Sequence, residues 1–104
     1  MTILNLDAED GVYTLSAVNH ADTPEACAAI STVVTLIANM AEQKKILMHG
    51  KLNDGDAMVI WKGFADGKFL LDVADEACRM LARDYPKLFF YRYKSFGKIQ
   101  YESC

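Results

Sequence analysis

The sequence predicts an α+β domain: a mainly antiparallel sheet with two helices on one face, in the order β-β-α-β-β-α-β. Three observations lead there. Apolar residues alternate through "TILNL" and "VYTLSAV", and again through "KILMHGKL" and "DAMVIWKGF". Two segments switch to a period near 3.6, one starting at Pro24 and one running through Leu70, Val73, Ala77 and Leu81. Aromatic residues, favoured on strands, then crowd into "KLFFYRYK".

Each element has its own justification. Thr2–Leu6 and Val12–Val18 form a hairpin around the turn cluster "DAEDG". The polar stretch "NHADTPE" is a loop. Thr23 or Asp22 offers a capping oxygen to the first helix, and Pro24 suits its first turn, where no N–H is required. The apolar stripe Cys27, Ile30, Val34, Ile37 and Ala41, widened by Val33, Leu36 and Met40, carries this helix to about Gln43. Two strands follow, joined by the turn "NDG" at Asn53–Gly55. "ADG" at Ala65–Gly67 reads as a break before the second helix, which ends ahead of Pro86. After the aromatic strand, "IQYES" supplies an optional last partner.

The chain has 104 residues, which suits one domain, 1–104, without linkers or repeats. Hydrophobic residues make up 52% and charged residues 24%, enough for a core and a soluble surface. A net charge of −3 argues against a nucleic-acid partner, which would call for a basic surplus. The N-terminus lacks the basic flank and apolar run of a signal peptide, and Cys27–Ala41 reads as too short and too polar to cross a bilayer. Three cysteines (Cys27, Cys78, Cys104) without CxxC spacing point to a reducing cytoplasm and to neither a disulfide framework nor a metal site. No cofactor motif is present.

The chemistry-bearing stretch is "NHADTPEACAAIS", Asn19–Ser31. With Thr23 as the cap, Cys27 occupies the fourth helical position. Helix N-termini and imidazolium groups favour a thiolate, the nucleophilic form of cysteine. A loop of this length can bring the His20 ring over the helix mouth as a general base. Amides at the helix start could steady an oxyanion. The alternative is equally physical: cysteine packs as a small hydrophobe, and a loop histidine is ordinary surface. Spacing alone leaves both open.

"VNHAD" followed by "CAAIS" resembles the signature of the ribosomal-processing cysteine proteases, the Prp family. The hairpin opening, the second helix ending at "ARDYP" and the closing strand also fall where that family has them. The resemblance implies that Cys27 is the nucleophile and His20 its base. Ser31 matches the family serine, one turn beyond the thiol, and Asn19 and Asp22 are candidates for orienting the base. It further implies an endopeptidase without cofactor, a homodimer, and a protein substrate that loses an N-terminal segment: a ribosomal protein or a phage capsid or scaffold protein. Asn19 and Ala29 stand where the family has glycines. Pro24 stands at the family's acidic position, and the loop from His20 to Cys27 is shorter. These departures suit a phage or prophage relative. An inactive relative, or an RNA or virion-assembly binding module using the aromatics of "KLFFYRYK", is the alternative reading.

The remaining singular residues are expected to be structural. Trp61 and Phe64 read as core or dimer surface, and Cys78 as an inert buried thiol. His49 reads as surface, Cys104 as exposed, and Asp72, Asp75 and Glu76 as a solvated helix face.

Overall fold

The computed structural model describes residues 1–19, 23–53, 55–95 and, in backbone alone, 98–102. The elements are β1 Thr2–Glu9, β2 Val12–Val18, α1 Pro24–Gln43, β3 Leu47–Asn53, β4 Asp56–Lys62, α2 Ala65–Asp84, β5 Phe89–Ser95 and β6 Lys98–Glu102. They follow the expected order, with Lys98–Glu102 taking the optional place as β6. The described strands form one six-stranded sheet in the order β3-β4-β2-β1-β5-β6. Neighbours pair antiparallel, except β1 with β5, which run parallel.

Alternation decides which face is covered. Thr2, Leu4, Leu6 and Ala8 of β1 are buried, as are Tyr13, Leu15 and Ala17 of β2, Ala57, Val59 and Trp61 of β4, and Phe89 and Tyr91 of β5. Their neighbours in sequence point the other way and are half-buried or exposed. Both helices lie on the covered face. The first hairpin turn is tighter than expected: β1 and β2 pair out to Glu9 and Val12, leaving Asp10 and Gly11 as a two-residue turn, both at positive φ (52° and 75°). Ala8 extends the inward alternation, so the strand outlasts the polar letters around it.

α1 buries Ala26, Ile30, Val34, Ile37 and Ala41. At 20 residues and a mean hydropathy of 1.3 it has the length and composition of a membrane span, contrary to the expectation that this stretch is too short and polar. Its most apolar stripe is nonetheless spent on the sheet, as in the core helix of a globule.

α2 departs from the expectation more clearly. It starts at Ala65, so "ADG" is its first turn rather than a break. Its buried stripe is Gly67, Leu70, Leu71, Ala74, Cys78 and Ala82, while Val73 and Leu81 are only partly buried. Gly67 is there for space: a Cβ would lie 2.7 Å from Tyr13 Cε2 and 3.3 Å from the Lys62 carbonyl. The close approach lets Trp61, fully buried, donate its indole N–H to the Gly67 carbonyl at 3.0 Å. Phe64, by contrast, is 84% exposed and belongs to no core.

Asp75 is not part of a solvated face. Tyr91, buried on β5, donates its hydroxyl to Asp75 Oδ1 at 2.6 Å. Arg79 Nε donates to both Asp75 oxygens at 3.0 and 3.1 Å. Carboxylate, guanidinium and phenol thereby satisfy one another where α2 meets β5. Burial, and then the charge of Asp75, pushes the Cys78 thiol up to about 12. Burial, and then the Asp75 hydrogen bond, pushes the Tyr91 hydroxyl up as well.

Two outcomes follow. Gly67→Ala should lower stability by about 1–3 kcal/mol in denaturant melts, because the new methyl would displace the buried Tyr13 ring and crowd the Lys62 carbonyl. Alkaline stability should fall through Cys78: its contribution is complete below the ordinary thiol value of 9.0 and is lost as pH rises from there to about 12. Cys78→Ala should flatten that limb in melts run at stepped pH; an unchanged limb would show that Cys78 ionises alike in the folded and unfolded chain.

Candidate active site

The site is built around the start of α1. Thr23 has extended backbone (φ −140°, ψ 151°), and its hydroxyl accepts the Ala26 N–H at 3.0 Å. Pro24 occupies the first turn, and Glu25 places negative charge at the positive end of the helix. The cap expectation holds, with Thr23 rather than Asp22 supplying the oxygen. Cys27 is therefore the fourth helical residue, and its N–H makes the first helical bond, to the Thr23 carbonyl at 3.0 Å.

Burial separates Cys27 from the core stripe. Ala26 and Ile30 are each 1% exposed, whereas Cys27 is half-buried. Ile30, Val34, Ile37 and Ala41 of the expected stripe are buried, but at its first position Ala26 faces the sheet and Cys27 lies on the flank. Ser31, also half-buried, follows four residues later on that flank. The structure thus brings Cys27 and Ser31 together at a helix N-terminus, with the thiol reachable from solvent.

Not every amide expected to serve an oxyanion has a free N–H. Pro24 has no N–H, Ala26 donates to the cap hydroxyl, and Cys27 donates to the Thr23 carbonyl. The Glu25 N–H makes no hydrogen bond to another described residue. Sequence reasoning missed this division, although proline at the first position and threonine at the cap already imply it.

His20 and Asp22, the expected base and one of its candidate supports, lie outside the described residues, as does Cys104. Asn19, where the loop begins, is described in detail. It sits in the left-handed region at φ 65°, which asparagine tolerates better than most residues. Its N–H donates to the Gly55 carbonyl at 2.7 Å, and its carbonyl accepts the Thr2 hydroxyl at 3.2 Å. Neither Thr2 nor Gly55 was singled out by sequence reasoning, since both partners are distant along the chain.

Other described residues lie apart from this centre. His49 is exposed on β3. Phe89 and Tyr91 are turned toward the helices at 2% and 0% exposure, so the aromatic strand presents no row of rings for base stacking. The open face carries Arg92, which donates to Asn5 Oδ1 at 2.8 Å, and a depression of about 620 Å³ lined by Asp7, Glu9, Asp10, Val12, Thr14 and Lys94. That depression is on the far side of the sheet from α1.

Solved structures place this architecture. The chain superposes on SMU.848 from Streptococcus mutans with a TM-score of 0.74 at 18% identity, over 91% of this chain and 98% of that one. It superposes on the ribosomal-processing protease Prp from S. aureus, in complex with a substrate peptide, with a TM-score of 0.70 at 15% identity, over 90% of this chain and all of the other. The fold is that of the Prp protease. A second Prp structure, carrying a covalently linked product peptide, matches at a TM-score of 0.68 and 16% identity over 90% of this chain. No family model and no curated protein matches the sequence. The likeness to Prp that these structures show therefore resides in the fold.

The cap should matter to both fold and thiol placement. Thr23→Ala should cost about 1 kcal/mol, lowering the midpoint of thermal unfolding by several degrees for a domain of this size. Thr23→Ser should restore it, as measured by circular dichroism.

Proposed function

We propose that this chain is a Prp-like cysteine endopeptidase with Cys27 as nucleophile and His20 as general base. The observation that supports the reading is the half-buried cysteine at the start of a capped helix, on a Prp fold. Cys27 Sγ attacks the carbonyl carbon of an extended peptide while His20 takes the thiol proton. The Glu25 N–H and the positive end of α1 stabilise the oxyanion. Collapse breaks the C–N bond as His20 returns the proton to the leaving amine. Water, deprotonated by His20, then hydrolyses the thioester and regenerates the thiol. Ser31 borders the thiol and shapes the approach, and Asn19 and Asp22 orient the base.

The substrate is a protein that loses an N-terminal segment, either a ribosomal protein or a phage capsid or scaffold protein. The enzyme works without cofactor in the cytoplasm, as a homodimer. Solution mass from light scattering checks the last point.

Co-expression with candidate substrates from the neighbouring genome tests the activity. Cys27→Ala should abolish cleavage and leave the fold intact, since the side chain lies off the core stripe. His20→Ala should slow turnover by about 10²–10⁴-fold. Cleavage that survives Cys27→Ala would sink the reading.

A further inference from the structure

We propose that Thr2 is a positioning residue for the loop that carries the base, acting through the backbone of Asn19; this rests on the reading of His20 as the general base. Thr2 is 0% exposed and is the buried polar residue of the described core. It occupies an inward position of β1, in line with Leu4, Leu6 and Ala8, where valine would match its shape. A hydroxyl at such a position costs stability unless it is hydrogen-bonded. Its bond runs to the Asn19 carbonyl, 17 residues away.

That bond has a geometric consequence. The Asn19 N–H is already held by the Gly55 carbonyl at 2.7 Å, and the residue is committed to φ 65°. Fixing its carbonyl as well fixes the plane of the peptide group joining residues 19 and 20, because that group is planar. The peptide group at which the loop begins is then held by β1 and the β3–β4 turn. β1 is in turn anchored at this end by the Thr2 N–H, which donates to the Leu88 carbonyl at 2.8 Å. A short loop has few residues over which to absorb an error at its root, so a shift there is passed on to the base.

The readout is the rate at which iodoacetamide alkylates Cys27 in the whole folded protein, resolved from Cys78 by peptide mass spectrometry across pH. Thr2→Val should lower the Cys27 rate at pH 7 by about fivefold, the worth of one hydrogen bond, and move the pH–rate profile toward that of His20→Ala. Thr2→Ser, which keeps the hydroxyl and loses a methyl group, should follow the wild type. Rates are taken at a temperature where circular dichroism shows each variant folded and Cys78 stays unlabelled. Asn19→Ala, which opposes φ 65°, should slow Cys27 in the same direction and covers the case in which Thr2→Val does not fold. Wild-type profiles in Thr2→Val, or in Asn19→Ala where only that variant folds, beside a slowed His20→Ala would overturn the positioning role and leave the peptidase reading in place. A profile that His20→Ala leaves unmoved would overturn the reading, and this inference with it.

Discussion

One-sided burial of the sheet is the constraint on which the rest depends. Every inward residue of β1, β2 and β4 has to be covered, and two helices on a single face do the covering. Once Ala26, Ile30, Val34, Ile37 and Ala41 are committed to that face, the helical period puts Cys27 and Ser31 on a flank. The position of the thiol is thus a consequence of core packing.

The start of α1 shows how local chemistry and long-range contacts divide the work. Thr23 and Pro24 define the first turn using only their own backbone and side chains. The strand end that precedes the loop is held otherwise. Asn19 takes its two bonds from Gly55 and Thr2, which belong to a different hairpin and to the first strand. The candidate site is therefore bounded by one self-sufficient cap and one clamp assembled by the sheet. On the opposite flank, Asp75, Arg79 and Tyr91 tie α2 to β5 and keep the covering layer in register.

Comparison with solved structures adds weight to the shape and little to the letters. Identities of 15–18% with TM-scores of 0.68–0.74 mean that nearly every side chain has changed while the path of the chain has not. Cores tolerate such turnover when pattern and volume persist.

Taken alone, the sequence determined the element order, the presence of a turn within Asp7–Gly11 and a capped helix start at Pro24 with Cys27 in its first turns, because periodicity, turn chemistry and capping act over a few residues. It misplaced the first position of the α1 stripe and, beyond Leu70, the phase of the α2 stripe by a residue. Cys27 and Ala26, or Val73 and Ala74, are interchangeable by hydrophobicity, and only docking against the sheet chooses between them. It read Ala65–Gly67 as a break because glycine and aspartate favour turns, whereas Tyr13 and the Lys62 carbonyl demand a residue without a side chain inside α2. It left Asp75 in solvent because its partner Tyr91 lies 16 residues away. Tertiary structure alone decided that Thr2 and Gly55 hold Asn19, since no local pattern records a hydrogen bond between strands that meet only when the sheet closes.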